Sequence, residues 1–299
     1  EYDGEEHTLT ATISNPALTT DACTVLLVDN VAINAGKYTA KAVGLSNDNY
    51  SLDGEPACEY TITPRLLEIS WEQSAEYVYN GKYQSDTLSV SRLVSSDEAI
   101  FRISFFTGGV GGTLVKTSSV TKNGSTTTTL TAADVAATID AGTYYAELSS
   151  VVYTADGKAN GNYSLPTSSE DSVTNFTIGQ SALVLGEWHY SDGTKSGVYT
   201  TDTKLIYNSK EYVLTSSIVS SSLFVRDDTG VKDEITLIYA NNVAKNVSAG
   251  GYHATVASLT GTYAKNYSVP AQGNALDYTI LPKEVTIIWT LPTDLIYSG

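Results

Sequence analysis

Five short motifs return in a fixed order along this 299-residue chain, and such a recurrence limits the fold more than any bulk property does. Ala35-Gly36-Lys37-Tyr38 returns as Ala141-Gly142-Thr143-Tyr144 and as Ala249-Gly250-Gly251-Tyr252. Asn49-Tyr50-Ser51 returns as Asn162-Tyr163-Ser164 and Asn266-Tyr267-Ser268. Tyr60-Thr61-Ile62 returns as Phe176-Thr177-Ile178 and Tyr278-Thr279-Ile280, and a tryptophan comes after each of them: Trp71, Trp188 and Trp289. A turn motif accompanies these landmarks as Tyr2-Asp3-Gly4, Tyr79-Asn80-Gly81, Tyr207-Asn208-Ser209 and Tyr297-Ser298-Gly299. Successive copies lie about one domain length apart.

The residues between the landmarks alternate apolar and polar, as in Tyr38-Thr39-Ala40-Lys41-Ala42-Val43 and Tyr252-His253-Ala254-Thr255-Val256. A period of two marks strands with one buried face. The tyrosine after each Ala-Gly pair is placed as in a tyrosine corner, where the hydroxyl ties a loop to a strand start. Asn-Tyr-Ser opens a short extended piece. Pro64 and Pro282 separate the Tyr-Thr-Ile strand from the next repeat, because proline removes a ladder donor. New first strands then begin at Leu66, Ala182 and Val285. The expected units are 1–64, 65–180 and 181–282, with 283–299 as the first strand of a further one, and the first unit lacks its own opening strand. Asn123-Gly124 predicts a hairpin turn, and Ala132-Ala133-Asp134-Val135-Ala136-Ala137 one or two helical turns. The expected fold is all-β: tandem immunoglobulin-like sandwiches, with β-grasp units carrying one short helix as the alternative.

Composition narrows the partners. Lys plus Arg number 17 against 33 Asp plus Glu, a net charge of −16. Such a surface repels phosphate backbones, so no nucleic acid is expected. No stretch approaches the ~20 apolar residues of a membrane helix, so no membrane insertion is expected in this segment. The 21 tyrosines against 5 phenylalanines suit thin sandwiches, in which a ring is buried while its hydroxyl finds a polar partner. The chain contains no methionine, which reads as a processed or excised stretch of something longer.

Chemistry-bearing patterns are sparse. His7, His189 and His253 show no metal-ligand spacing, and neither a nucleophile elbow nor a phosphate loop occurs. No enzyme and no resident cofactor is expected. Calcium is the metal the acids best suit: Asp48 and Asp53 in one loop, and Asp227 with Asp228 in another, gather oxygens, although calcium takes six to eight and the EF-hand spacing is absent. Cys23 and Cys58 form one bridge in an oxidising compartment, or remain two small packed side chains. Tyr79 and Tyr207, beside their turns, are the candidate glycan contacts; the competing reading places these rings in the core.

The Tyr-Asp/Asn-Gly, Ala-Gly-x-Tyr, Asn-Tyr-Ser and Tyr-Thr-Ile-x-Pro motifs resemble those of the YDG and MBG repeats of bacterial surface adhesins. The resemblance spans nearly the whole chain; Ser209 stands where glycine is expected, and Gly179 where proline occurs elsewhere. It implies a non-catalytic, extracellular stalk or fibre-forming array at the bacterial cell surface, with neighbouring repeats as the first partners. Self-association by donation of the spare C-terminal strand is a further partner expectation. An adhesive module for host glycan or mucin is the alternative function.

Overall fold

The computed structural model describes residues 1–14, 22–73, 76–95, 97–155, 158–167 and 172–290. Tyr297-Ser298-Gly299 lies outside them. Among the described residues every regular element is a strand except two three-residue 3-10 turns, Ser220–Ser222 and Ala264–Asn266. The chain is all-β. It divides into two compact units, one of Glu1–Val78 with Lys82–Gly179 and one of Tyr79–Gly81 with Gln180–Gly299.

In the first unit, the first repeat is a three-stranded antiparallel sheet with Gly36–Leu45 between Val25–Val28 and Ala57–Ile62. The second repeat stacks two sheets. One runs Thr113–Asn123, Glu98–Thr107, Gly142–Ala155, Val173–Gly179 and Tyr77–Val78; the other runs Thr127–Leu130, Thr87–Ser91 and Glu68–Glu72. Phe101, Ile103 and Phe105 alternate along one strand and are at most 1% exposed, as a period of two requires. They share a core with Leu88, Val90, Leu130 and Leu148. Each such side chain contributes about 1.5–3 kcal/mol on leaving water. The second unit repeats the sandwich. Ser196–Val198, Leu185–Ser191, Tyr212–Ile218 and Val243–Ala244 form one sheet, and Thr236–Ala240, Tyr252–Thr260 and Ala275–Tyr278 the other.

Three local features recur in all three repeats. The corner tyrosines donate to carbonyls shortly upstream: Tyr38 to Asn34 at 2.7 Å, Tyr144 to Asp140 at 2.9 Å and Tyr252 to Asn246 at 2.7 Å. The same tyrosines stack on the ring directly across the sheet, Tyr38 on Tyr60, Tyr144 on Phe176 and Tyr252 on Tyr278, with centroids 5.3, 5.7 and 5.2 Å apart. Aromatic pairs so placed contribute about 0.5–1.5 kcal/mol beyond their burial. The pairing with the strand that carries the corner tyrosine slips by one residue at the same place, between Leu26 and Leu27, Arg102 and Ile103, and Ile238 and Tyr239.

Three local expectations give way. Asn123-Gly124 makes no tight hairpin: neither residue has the positive φ of a primed turn. The next strand pairs in the other sheet, so these residues carry the chain from one layer to the other. Residues 132–137 wind as hydrogen-bonded turns rather than a helix. Thr131 and Asp134 cap the first turn reciprocally, and Ala136 at φ 41 breaks it. The two cysteines are free. Cys58 pairs across from Ala40, whereas Cys23 precedes the strand on the other side of Gly36–Leu45. Strands two apart in a sheet are roughly 9.5 Å distant, beyond the ~7 Å Cα limit of a disulfide.

Candidate functional site

The repeated motifs converge on buried carboxylates. In the first unit, Asp97 ends the loop entering the strand Glu98–Thr107 and is 2% exposed. Its Oδ2 accepts the hydroxyl protons of both Tyr2, at 2.9 Å, and Tyr163. The Tyr163 oxygen in turn accepts the Val94 N–H at 3.0 Å. The two rings meet edge to face, with centroids 5.6 Å apart at 87°. Tyr2 comes from the Tyr-Asp-Gly turn of the first repeat, Tyr163 from the Asn-Tyr-Ser motif of the second.

The neighbouring asparagine binds the same two repeats together. Asn162 is fully buried; its Oδ1 accepts the Ala35 N–H at 2.8 Å and its Nδ2 donates to Asn34 Oδ1 at 2.9 Å. Asn34 and Ala35 form the turn that Tyr38 ties down. Motifs from two repeats are thus joined by one set of buried polar atoms, which explains why these short words recur together.

In the second unit the arrangement returns around Asp233, also 2% exposed. Its Oδ2 accepts the hydroxyls of Tyr79 and, at 2.7 Å, Tyr267. The Phe224 N–H donates to the Tyr267 oxygen at 3.1 Å, and the rings of Tyr79 and Tyr267 meet at 5.2 Å and 77°. Arg226 is added here: it donates to the Tyr79 oxygen at 3.3 Å, lies 4.3 Å over the Tyr263 ring and grips Asp228 with two nitrogens at 3.0 and 2.9 Å.

A buried carboxylate is costly unless charge-assisted donors replace its water. Each tyrosine hydroxyl donated to a charged acceptor contributes about 1.5–3 kcal/mol. Burial first, then the adjacent carboxylate, push the Tyr79 hydroxyl far above its ordinary value, and burial does the same for Tyr163 and Tyr267. Burial raises Tyr278 to about 12. A raised folded-state value means stability complete below the unfolded pKa, about 10, and lost as pH climbs through the folded values, because only the unfolded chain then releases protons. The melting temperature is therefore expected to fall steeply above about pH 10. In an ultraviolet titration at alkaline pH these tyrosines should ionise only as the chain unfolds. Reversible ionisation of all 21 tyrosines near their ordinary value, with the fold intact, would contradict the arrangement.

The turns that deliver the tyrosines share one geometry. Gly4, Gly81 and Ser209 have φ of +83°, +77° and +66°. In the first and third, the middle side chain accepts the N–H two residues on: Asp3 from Glu5 at 3.0 Å, Asn208 from Lys210 at 2.9 Å. Glycine also lets the turn close on the receiving wall. A Cβ at Gly4 would lie 2.7 Å from Val94 Cγ1, and one at Gly81 2.5 Å from the Val225 carbonyl oxygen.

The sequence-predicted residues fare unevenly. Tyr79, expected as a glycan contact, is 1% exposed and enclosed, so its ring offers no face to a sugar. Tyr207 is half-buried, and its hydroxyl has no hydrogen-bond partner among the described residues. Of the calcium candidates, Asp228 is held by Arg226, and its charge is balanced without a metal. Asp48 lies beside an open groove with Tyr50 and Glu55, and Asp53 is exposed. No group of three metal-type ligands gathers among the described residues. His253 faces solvent, as expected, and meets Asp277 across the sheet at 2.6 Å. Asp97 and Asp233 belong to none of the five motifs, because they sit in the variable stretches before the strands Glu98–Thr107 and Thr236–Ala240. Their signal is register: each stands five residues ahead of the recurrent strand slip. Asp21 occupies the same place in the first repeat's sequence and lies outside the described residues.

Set against protein-family models, curated proteins and solved structures, the chain matches none. No helix among the described residues is long and apolar enough to cross a membrane.

Proposed function

We propose that the chain is a non-catalytic structural array, an extracellular stalk or fibre-forming segment of a bacterial surface protein. The observation that carries this reading is the carboxylate latch. The same three groups, two tyrosines and an aspartate, recur around Asp97 and Asp233. Each takes its tyrosines from two different repeats. A buried latch that joins the tyrosine motifs of successive repeats suits a protein whose task is mechanical. The acidic surface, −16 overall, keeps such an array soluble. Antibody raised against the chain should label intact producing cells, and the isolated chain should resist extension in a force spectrometer with discrete rupture events. Labelling only after lysis, or extension without rupture, would overturn the reading.

One observation favours adhesion as a second role. In the second unit an open cleft of about 860 Å³ is lined by Tyr199, Tyr252, His253, Asp277 and Thr200. An aromatic ring beside a polar pair suits a sugar face and its hydroxyls. A hit on a glycan array that disappears in Tyr199→Ala would support host-glycan binding there; an array without hits would remove this role.

A further inference from the structure

Two of the chain's four arginines, Arg65 and Arg92, line one open groove of about 500 Å³ in the first unit. Strand register builds its floor. Ser91 lies between Thr127 and Glu68 on a single rung at the end of the smaller sheet. Residues on one rung share a face, and this rung faces outward. Thr127 and Glu68 are exposed, whereas Thr128 and Val90 on the next rung are buried. The Ser91 and Thr127 hydroxyls share a hydrogen bond at 3.1 Å.

Both guanidinium groups have donors to spare. Arg92 gives one nitrogen to the Glu1 carboxylate at 3.0 Å, and Arg65 gives one to the Tyr2 carbonyl at 3.4 Å. A guanidinium carries five N–H groups. The buried Nε of Arg65 has no hydrogen-bond partner among the described residues. Arg92 is held at φ +72°, with its N–H on the Thr126 carbonyl at 3.3 Å. Side chains held in this left-handed region gather at ligand sites.

The repeat scaffold requires neither arginine. Arg65 begins the short strand that pairs in parallel with Tyr163, and Ser181 takes that place beside Tyr267 in the second unit. Arg92 stands two residues before the amide that donates to Tyr163, and Ser222 two before the amide that donates to Tyr267. Both arginines are thus serine in the matching repeat, and the groove belongs to one repeat alone.

Its chemistry narrows the ligand. Paired guanidinium groups suit a carboxylate, and Arg92 already grips one. Glu68, on the floor, repels a bare anion but accepts the proton of a hydroxyl. The net charge of −16 repels polyanions, so the ligand carries a single charge among neutral hydroxyls. We propose that this groove binds a small polyhydroxy carboxylate, a sugar acid. Its carboxylate lies against Arg65 and Arg92, and one of its hydroxyls donates to Glu68.

Titration of the full chain with glucuronate, followed through backbone amide chemical shifts, tests the assignment. Half-saturation is expected on the order of 1 mM, with shifts centred on residues 91–93 and 126–127. Glucose lacks the carboxylate and acetate the hydroxyls, so each should bind about tenfold more weakly or worse. Arg92→Gln should weaken glucuronate by about tenfold. Glu68→Ala should weaken glucuronate but not acetate, because it removes a hydroxyl acceptor and a repelling charge together. Circular dichroism should show both variants folded; where Arg92→Gln is not, the exposed Glu68 decides. Absence of saturation, or a folded Arg92→Gln that binds like wild type, would overturn the site. Acetate or a triglutamate peptide binding as tightly as glucuronate would overturn the sugar-acid assignment.

Discussion

Truncating Tyr79 to alanine should lower the unfolding free energy of the second unit by about 4 kcal/mol, the scale of removing a fully enclosed aromatic ring. Two losses combine. The ring leaves a void between Phe224 and Tyr267, which it touches at 5.8 and 5.2 Å. The hydroxyl leaves Asp233, whose Oδ1 already has no hydrogen-bond partner, so the buried carboxylate keeps Tyr267 as its one tyrosine donor. Tyr79→Phe removes only the second of these and should cost about 2 kcal/mol. Denaturant unfolding monitored by the fluorescence of Trp188, which is buried in this unit, separates the two values. Pairing Tyr79→Phe with Asp233→Asn in a double-mutant cycle should give a coupling near ~1 kcal/mol or more. Additive effects would mean that the hydroxyl and the carboxylate do not communicate, and the latch would lose its basis. Tyr2→Ala should repeat the result in the first unit, since Tyr2 is 2% exposed and bound to Asp97 in the same way.

Gly81→Ala should be strongly destabilising, at about 3 kcal/mol. An L-residue with a side chain pays about 1–2 kcal/mol to hold the left-handed conformation, here φ +77°. The new Cβ would also lie 2.5 Å from the Val225 carbonyl oxygen and 2.9 Å from Phe224 Cβ. A backbone oxygen cannot rotate aside as a side chain can, so overpacking adds about 1–3 kcal/mol. Gly54→Ala is the control. Its φ is +76° but nothing lies within 4 Å, so only the conformational part should appear. Thermal unfolding of the two variants measures the difference directly. Equal costs would show that the turn does not press on its wall. The same contact explains why Ser209, free of any receiving wall among the described residues, is tolerated where the other turns have glycine.

Much of this fold is legible in the residues alone. Alternation around Tyr38, Tyr144 and Tyr252 identifies strands, because a sheet face repeats every two residues whatever surrounds it. The corner tyrosines are legible for the same reason: their hydroxyls bond four to six residues upstream, a local event. Local patterns mislead where the outcome depends on distant chain. Asn123-Gly124 has the composition of a hairpin, but Gly124 is pinned by its N–H to the Asp97 carbonyl at 2.6 Å, and the chain crosses between sheets. Cys23 and Cys58 share a repeat, yet a strand separates them. Tyr79 neighbours a turn, which suggests an exposed platform, and the turn is the means by which the ring is buried.

By itself, the sequence determined that this is a β-protein of repeated units and which short motifs recur in them. Those properties stem from side-chain periodicity and turn chemistry, which act over a few residues. Only the tertiary structure decided why the motifs travel together. Tyr2 and Tyr163 lie 95 and 66 residues from Asp97 in sequence, and Tyr79 and Asp233 are 154 apart. No local pattern links them; a carboxylate excluded from water does, because it must find its donors wherever the fold brings them.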